Sequence, residues 1–541
     1  MALTTQQALD QTQALYEQIN GRRTSVARTD DYYRGKQRLR FASAKWSEFH
    51  AERYKDFCDN WCAPVANSPN ERLRVDGFRL DEDPSLSDAE KSLWRDWQAN
   101  DMDAQSSQGF LASIIASRSY VLVWGDTDDE PVATWERADQ VTVAYDPERP
   151  GRSTAALKTW HDGSNEFATL YTADEVWKWQ RPWLDRKGAD APSTPRSEAF
   201  FRTPGGLLIP PSDTTGWKPR QPATDDRWPL NNPLGVVPIV EMPNRPMLGG
   251  EPLSEIQGTM AMQDAINLLW AYLFTAADFA SMPARVVMGQ EPPKIPILDE
   301  NGQVKGYRAV DLKKLAEDRI LWLTGESTKI GQWDAAKLDV FTGVIETGVT
   351  HLAAQTRTPP HYLVLGKGMV NVSADGMRAA ETGLVKKVEE EQLFLSPGVR
   401  GVYQRFALVR GDEALAKQVR FGTVEWKDAE NHSEAQLVDG LQKLSAIGFP
   451  FAWVAERYGL SRPEVERVVK MRESEQAADP LAEMVRQGGQ GEPVARAKAR
   501  FDRAVALSSS AQASPFVSFA ENVAVPRQDK VQFEAMLAQA L

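Results

Sequence analysis

Apolar residues recur at helical spacing in three long stretches of the second half of the chain, whereas the first half carries short alternating runs. From Ile256 through Met260, Met262, Ile266, Leu269, Leu273 and Phe274 to about Ser281, the pattern is that of a helix packed on more than one side. A capping box at Ser254 and Gln257 is expected to open it, and Pro283 to end it. A second helix is expected from about Lys337 to Arg357, with Leu338, Phe341, Ile345, Gly348 and Leu352 on one stripe, until Thr358-Pro359-Pro360 breaks it. Gly348, like Gly383 further on, is of the size that lets helices approach closely. A third helix, capped by Ser373, can extend up to Arg410 and should kink at Pro397-Gly398. The segment 283–335 between the first two reads as a Pro- and Gly-punctuated α/β insert, and Gly366-Lys367-Gly368-Met369-Val370-Asn371-Val372 before the third reads as a mobile loop.

In the first half, a polar helix is expected from Thr4 to about Asn20, stopped by Gly21. Residues 36–125 read as helix, turn, helix, with strands at Leu73–Val75 and Tyr120–Trp124. The runs VATWE, VTVAYD, ALKTWHD, FATLYT and VWKWQ between Pro131 and Gln180 predict an antiparallel meander. Residues 181–235, dense in Pro, Gly, Asp and Thr, read as a long surface insertion. Three shorter helices follow, at about Ser433–Ile447, Phe451–Tyr458 and Ser461–Glu475, the last with a capping box at Ser461 and Glu464. Residues 480–541 carry little to bury and read as a flexible tail. The fold class is α+β.

Composition narrows the functions. With 541 residues, 42% hydrophobic and 26% charged, the chain has the balance of a globular protein. Its greasiest stretch, Ala265–Ala277, contains Asn267 and is shorter than the ~20 residues that cross a bilayer, so no membrane span is expected. The N-terminus has neither the basic nor the apolar region of a secretory signal, which points to the cytosol. A net charge of -12 has the wrong sign for gripping nucleic acid by neutralising phosphates. Cys58 and Cys62, spaced to lie one turn apart on a helix, lack further ligands for zinc and are expected to be reduced. No phosphate-binding loop, nucleophile elbow or H-E-x-x-H is present, and the five histidines are scattered. Asp225-Asp226 and Asp128-Asp129-Glu130 sit among turn formers and read first as solvated loop acids, with a nuclease-like metal site as the lesser reading. Glu389-Glu390-Glu391 reads as an exposed helix face, with Lys386 and Lys387 one turn earlier. Arg357, Lys367 and Arg378 bracket the 366–372 loop. No catalytic residue, cofactor or metal is expected.

Several segments in order carry a resemblance. They are Tyr32-Tyr33-Arg34-Gly35, the NSPNERLRVDGF run at Asn67–Phe78, Trp97–Asn100 with Ala112–Trp124, and above all Pro233–Gly289, with its G-x-V-P-[VI]-V, N-R, S-E-I and Q-D-A-x-N sequence. Thr358–Glu381, Trp426 and the HSEAQLVDGLQKL and GLSRPEVERV runs complete the set. Together they resemble the portal, or head-to-tail connector, proteins of tailed double-stranded DNA bacteriophages of the siphophage type.

That resemblance implies a ring-forming portal fold: an α/β wing over 1–250, stem helices at 253–281 and 337–357, and an α/β clip at 282–336. A tunnel loop and kinked wing helix would occupy 358–410 and a helical crown 411–479. It implies that Gly366–Val372 line the channel, and it makes Trp322 and Trp333 candidates for docking on the clip. Implied partners are further copies in a dodecamer, the major capsid and scaffolding proteins, the terminase motor, head-completion or neck adaptors, and duplex DNA passing non-specifically, with no membrane. The setting would be one capsid vertex of the virion, after assembly in the host cytoplasm. The alternatives are a metal-dependent enzyme acting on DNA or cell wall, with acids near 225 or 128 as ligands, and a monomeric cytosolic scaffold.

Overall fold

The computed structural model describes residues 3–39, 57–80, 87–126, 128, 130–183, 201–202, 208–209, 216–220, 228–281, 285–288, 294–298, 303–309, 320–323, 329–332, 337–363, 374–430, 434–460 and 462–478. The tail 480–541 therefore lies outside the described residues. The chain divides into two compact units, Met1–Leu444 and Ser445–Leu541.

Thr4 opens the first helix, α1 (Thr5–Tyr33), through a capping box in which its hydroxyl accepts from the Gln7 amide and Gln7 Oε1 accepts from the Thr4 amide. The helix does not stop at Gly21. A helical glycine costs about 1 kcal/mol, and tertiary contacts beyond it outweigh that cost. Arg22 donates to Tyr120 Oη at 2.8 Å and to the Val141 carbonyl at 3.1 Å, while Val26 and Tyr32 are buried. Next come α2 (Cys62–Asn70), β1 (Val75–Arg79), α3 (Asp88–Ala99) and α4 (Met102–Ala116).

Strands β2 (Arg118–Gly125) and β3 (Pro131–Glu136) form an antiparallel hairpin. Strands β4 (Val141–Tyr145), β5 (Ser153–His161), β6 (Asn165–Thr172) and β7 (Glu175–Pro182) form the expected meander. VATWE is not part of it, because that run is β3 and pairs with β2. The 181–235 segment is not all surface loop. It contributes β8 (Phe201–Arg202) paired with β9 (Leu208–Ile209), then β10 (Lys218–Pro219) and β11 (Leu230–Asn231), both added to the open edge of β7. Trp217, beside β10, is buried. Strand β12 (Ile239–Pro243) then pairs antiparallel with β2 to complete a second sheet, ordered β12-β2-β3.

A short 3-10 turn, Gln257–Thr259, leads into α5 (Met260–Ser281). The expected capping box does not form, because the Ser254 hydroxyl donates to the Ile115 carbonyl at 2.7 Å and accepts from the Ile256 amide. The helix consequently starts later than the spacing suggested. In the following insert, β13 (Arg285–Met288), β14 (Lys294–Leu298), β15 (Val304–Ala309), β16 (Ile320–Leu323) and β17 (Lys329–Gln332) are described. β14 and β15 pair as a hairpin, and β13 runs parallel to β16 and antiparallel to β17.

The helices α6 (Leu338–Thr356) and α7 (Pro360–Leu363) precede α8 (Ala374–Val409), a 36-residue helix that continues through Pro397. Then come α9 (Glu413–Val419), β18 (Thr423–Trp426), which pairs antiparallel with β1, and α10 (Glu434–Ala446). In the second unit α11 (Phe451–Tyr458) and α12 (Arg462–Ala478) pack on each other, with Ala455 and Val465 buried and Arg472 stacked 4.3 Å from the Phe451 ring. Among the described residues no helix is long and apolar enough to cross a membrane.

The main core of the first unit forms around α8. Leu384, Val388, Leu395, Val399, Val402, Tyr403 and Phe406 meet Trp97, Phe110, Val121, Val123 and Met242 from α3, α4, β2 and β12. Each such side chain contributes about 1.5–3 kcal/mol of burial. A second core seats α1, through Leu15, Tyr16 and Ile19, on the meander at Leu157, Leu170, Trp177 and Trp179.

Two glycines test how tightly the helices are fitted. A Cβ on Gly398 would lie 2.8 Å from the Glu241 carbonyl oxygen and would also strike Met242, whereas one on Gly348 would make only ordinary contacts, 3.5 Å from Ile266. Gly398→Ala should lower stability by about 1–3 kcal/mol through overpacking, and Gly348→Ala should be neutral or slightly stabilising through helix propensity. Denaturation of the two variants beside the parent checks both.

Candidate functional site

The two long helices α5 and α6 pack side by side. Gly348 lies against Met262 and Ile266, and Gln355, further along α6, reaches back to the Gly258 carbonyl, so the helices run in opposite directions. On α6, Ile345, Val349, Leu352 and Ala353 are buried, while Val340 and Val344, one turn apart, are 61% and 49% exposed. The sequences of α5 and α6 contain no Lys or Arg, and their acids are Asp264, Asp278, Asp339 and Glu346. Between the capping residues Lys337 and Arg357 of α6, such a pair places no fixed cation along its length to neutralise a phosphate backbone.

The Q-D-A-x-N run at the start of α5 acts as a clasp. Gln263 Oε1 accepts from the Trp61 amide at 2.7 Å, and its Nε2 donates to the Asp59 carbonyl at 2.5 Å. Asn267 Oδ1 accepts from the Asp59 amide at 3.0 Å, and the Asp59 carboxylate accepts from the indoles of Trp61 and Trp270. Asp264, buried, accepts from the Tyr32 hydroxyl at 2.7 and 2.8 Å. One polar face of α5 thus fixes both the end of α1 and the strap at 57–61. Buried polar groups carry a desolvation cost when left unpaired, and here each of the three is bonded: Gln263 and Asn267 to the strap and to each other, Asp264 to Tyr32.

Cys58 and Cys62 are both free and belong to this clasp, but they are not one turn apart on a helix, since α2 begins at Cys62. Cys58 Sγ accepts from Gln37 and Asn267, and burial pushes the Cys62 thiol up to about 12, which keeps it protonated and unreactive. Among the described residues no group of three or more His, Cys, Asp and Glu is placed to hold a metal ion. Asp225-Asp226 and Asp129 lie outside the described residues.

The candidate loop, Gly366 through Val372, lies outside the described residues, as does Trp333. Trp322 is part of β16, in register with Val287 of β13. What is described is how the chain is held on either side of the loop. Arg357 ends α6 in the left-handed region at φ 54°, and its amide caps the Ala353 and Ala354 carbonyls. Past it, Glu381 of α8 accepts from Arg72 at 2.9 Å and from Tyr362 at 3.3 Å, and lies 3.4 Å from His361 Nε2. Burial alone would raise the Glu381 carboxyl, but Arg72 and His361 outweigh it and hold it below its ordinary value. This brace joins the segment before the loop, the helix after it and the turn preceding β1. No linear motif announced it, since its members lie far apart in the chain.

Glu389-Glu390-Glu391 is not a uniformly exposed face. Glu391 is buried at 1% exposure, as is Lys387 at 4%. They lie on the side of the helix that also carries the buried Val388 and Leu395.

A family model described as phage portal protein, SPP1 Gp6-like, matches residues 13–450. A second, described as TRAP transporter T-component, matches residues 484–541, outside the described part of the chain. The portal protein of Mycobacterium phage D29 is 28% identical over 434 residues, 75% of this chain and 77% of the relative. The portal protein of Mycobacterium phage L5 is 28% identical over 403 residues, 71% of each chain. A chain from the virion of a native gene transfer agent particle aligns at a TM-score of 0.36 and 11% identity, covering 73% of this chain and 87% of that one, a likeness too loose to carry weight.

If the clasp holds the strap, Gln263→Ala removes both of that side chain's hydrogen bonds to the strap and its bond to Asn267, and should cost about 1–3 kcal/mol. Hydrogen exchange should rise at the Asp59–Trp61 amides well before it rises in β5 and β6; uniform exchange across the unit would contradict a local clasp.

Proposed function

The chain belongs to the phage portal protein family of the SPP1 Gp6-like kind, and from that premise we propose that it serves as one subunit of a closed ring at a single capsid vertex, the passage through which the genome enters and later leaves the head. The family match over residues 13–450 is the observation that carries this reading, and the two curated relatives are both portal proteins. The role is structural and conducting rather than catalytic, with a separate motor supplying the work.

The physical features agree with that role. A channel must let a duplex of any sequence slide, and fixed cations along it would bind phosphates and stall the movement. An antiparallel helix pair without Lys or Arg, in a chain with a net charge of -12, suits such a lining. A closed ring is built from heterologous contacts repeated by rotation, and the exposed Val340 and Val344 provide apolar surface for a neighbouring copy to cover.

In this reading residues 1–250 form the wing, 253–281 and 337–357 the stem, 282–336 the clip, 358–410 the tunnel loop with its following helix, and 411–479 the crown. The ring is a dodecamer in the virion, assembled in the host cytoplasm with capsid and scaffolding proteins. The clip, with Trp322 and Trp333 as docking candidates, meets the terminase motor and later the neck adaptors. Gly366–Val372 line the narrowest part of the passage, with Lys367 as the loop's cation.

Replacing both Lys367 and Asn371 by Ala tests the loop assignment. Heads assembled with the variant should form with normal portal content but hold less DNA, measured as genome per head. Normal filling, with the two positions open to a bulky thiol reagent on the outside of the ring after Cys substitution, would contradict it.

A further inference from the structure

Where α8 passes the end of α6 and the entry to α5, three buried titratable side chains, Lys387, Glu255 and Glu391, meet a partly exposed arginine, Arg245. Lys387 of α8 pairs with Glu255 at 2.6 Å, and their side chains are 4% and 3% exposed. Lys387 Nζ also donates to the carbonyl of Thr356, the last residue of α6, at 3.3 Å. Arg245, from the turn after β12, pairs with Glu255 at 3.2 Å. Glu391, one helical turn beyond Lys387, completes the group but takes no part in its bonds. Among the described residues neither of its carboxyl oxygens has a hydrogen-bond partner. The other charges nearby are Glu390 on the same helix and Arg357 at the end of α6, 3.9 Å apart and largely exposed.

A buried carboxyl without partners avoids the ionised form. Burial, reinforced by Glu255, outweighs the attraction of Lys387 and Arg245 and pushes Glu391 up to about 8. Glu255 goes the other way: burial would raise it, but Lys387 and Arg245 outweigh burial and hold it below its ordinary value. The two acids therefore divide the roles, with one charged and bonded and the other neutral and idle.

We propose that Glu391 is a proton-operated release for the Lys387 tie that fastens α8 to the end of α6 and the entry to α5. Once ionised, Glu391 is an acceptor on the same helix at the spacing at which side chains meet. It competes for Lys387 with Glu255, which keeps Arg245, and with the Thr356 carbonyl. Loss of one proton thereby transfers Lys387 from an inter-segment bond to an intrahelical one. This device is independent of the portal reading and can fail without it.

Because the folded state holds the Glu391 proton more tightly than the unfolded chain, the contribution to stability is complete below the ordinary carboxyl range and is lost as pH rises to about 8. Glu391→Gln, measured in the full-length protein beside the parent and beside Glu389→Gln as an exposed control, tests this. The parent should lose thermal stability relative to Glu391→Gln between about pH 4.5 and pH 8, with a constant gap above that range. At pH 9, hydrogen exchange at residues 353–358 and 254–258 should be faster in the parent than in the variant at the same pH. A protonated-carboxyl band in infrared difference spectra of the parent, absent from Glu391→Gln, should disappear over the same range. Parallel stability profiles, or exchange that is equal in parent and variant at those segments, would overturn the proposal. If Glu391→Gln does not fold, Glu391→Met supplies the comparison, and absence of the infrared transition in the parent alone overturns it.

Discussion

The first unit depends on keeping one long helix dry. Ala374–Val409 is flanked by segments drawn from across the first unit: β12 and β2, α2 and α3, and β18 along its second half. Its apolar residues provide much of the main core, and its polar residues are placed by the same constraint. Arg405, buried, donates to the Val237 and Gly401 carbonyls, and burial holds it down to about 10. Tyr403, also buried, stacks against Trp97 at 5.2 Å. Such a helix cannot shift by a residue without exposing apolar surface or stranding a buried charge, so it holds its surroundings in a fixed register.

That rigidity contrasts with the surface of the helix pair at α5 and α6. There one side is locked by the Gln263, Asp264 and Asn267 clasp, and the other leaves valines and small residues in the open. A ring subunit needs both properties: a core that does not yield when a polymer moves past, and a face that is incomplete until a neighbour covers it. The lack of Lys and Arg on the pair fits a conduit better than a binding groove, because each fixed phosphate contact adds to the cost of sliding.

Much of the framework was legible in the sequence because strong periodicity coincided with strong punctuation. Helix α6 was bounded within a residue at each end by its apolar stripe and by Thr358-Pro359-Pro360, and β4 to β7 by alternation between turn formers. Errors arose where distant residues overrode local preference. Gly21 stays helical because Arg22 and Val26 are anchored beyond it, and Ser254 gives up its capping role to the Ile115 carbonyl. VATWE alternates like its neighbours, but pairing, which alternation does not encode, assigns it to another sheet. The Q-D-A-x-N run was visible as a pattern, yet its use depends on Tyr32 and the 57–61 strap. Glu391 looked solvated for the same reason: the segments that bury it lie far away along the chain.

The central claim is that copies of this chain close into a ring around a passage. The most direct measurement is the particle mass of the purified protein by light scattering, together with its projection symmetry by negative-stain imaging. A closed ring is expected, with a rotational axis, a central hole and a mass that is a whole-number multiple of the chain mass. A compact monomer that remains single when capsid and scaffolding proteins are co-assembled with it would contradict that claim.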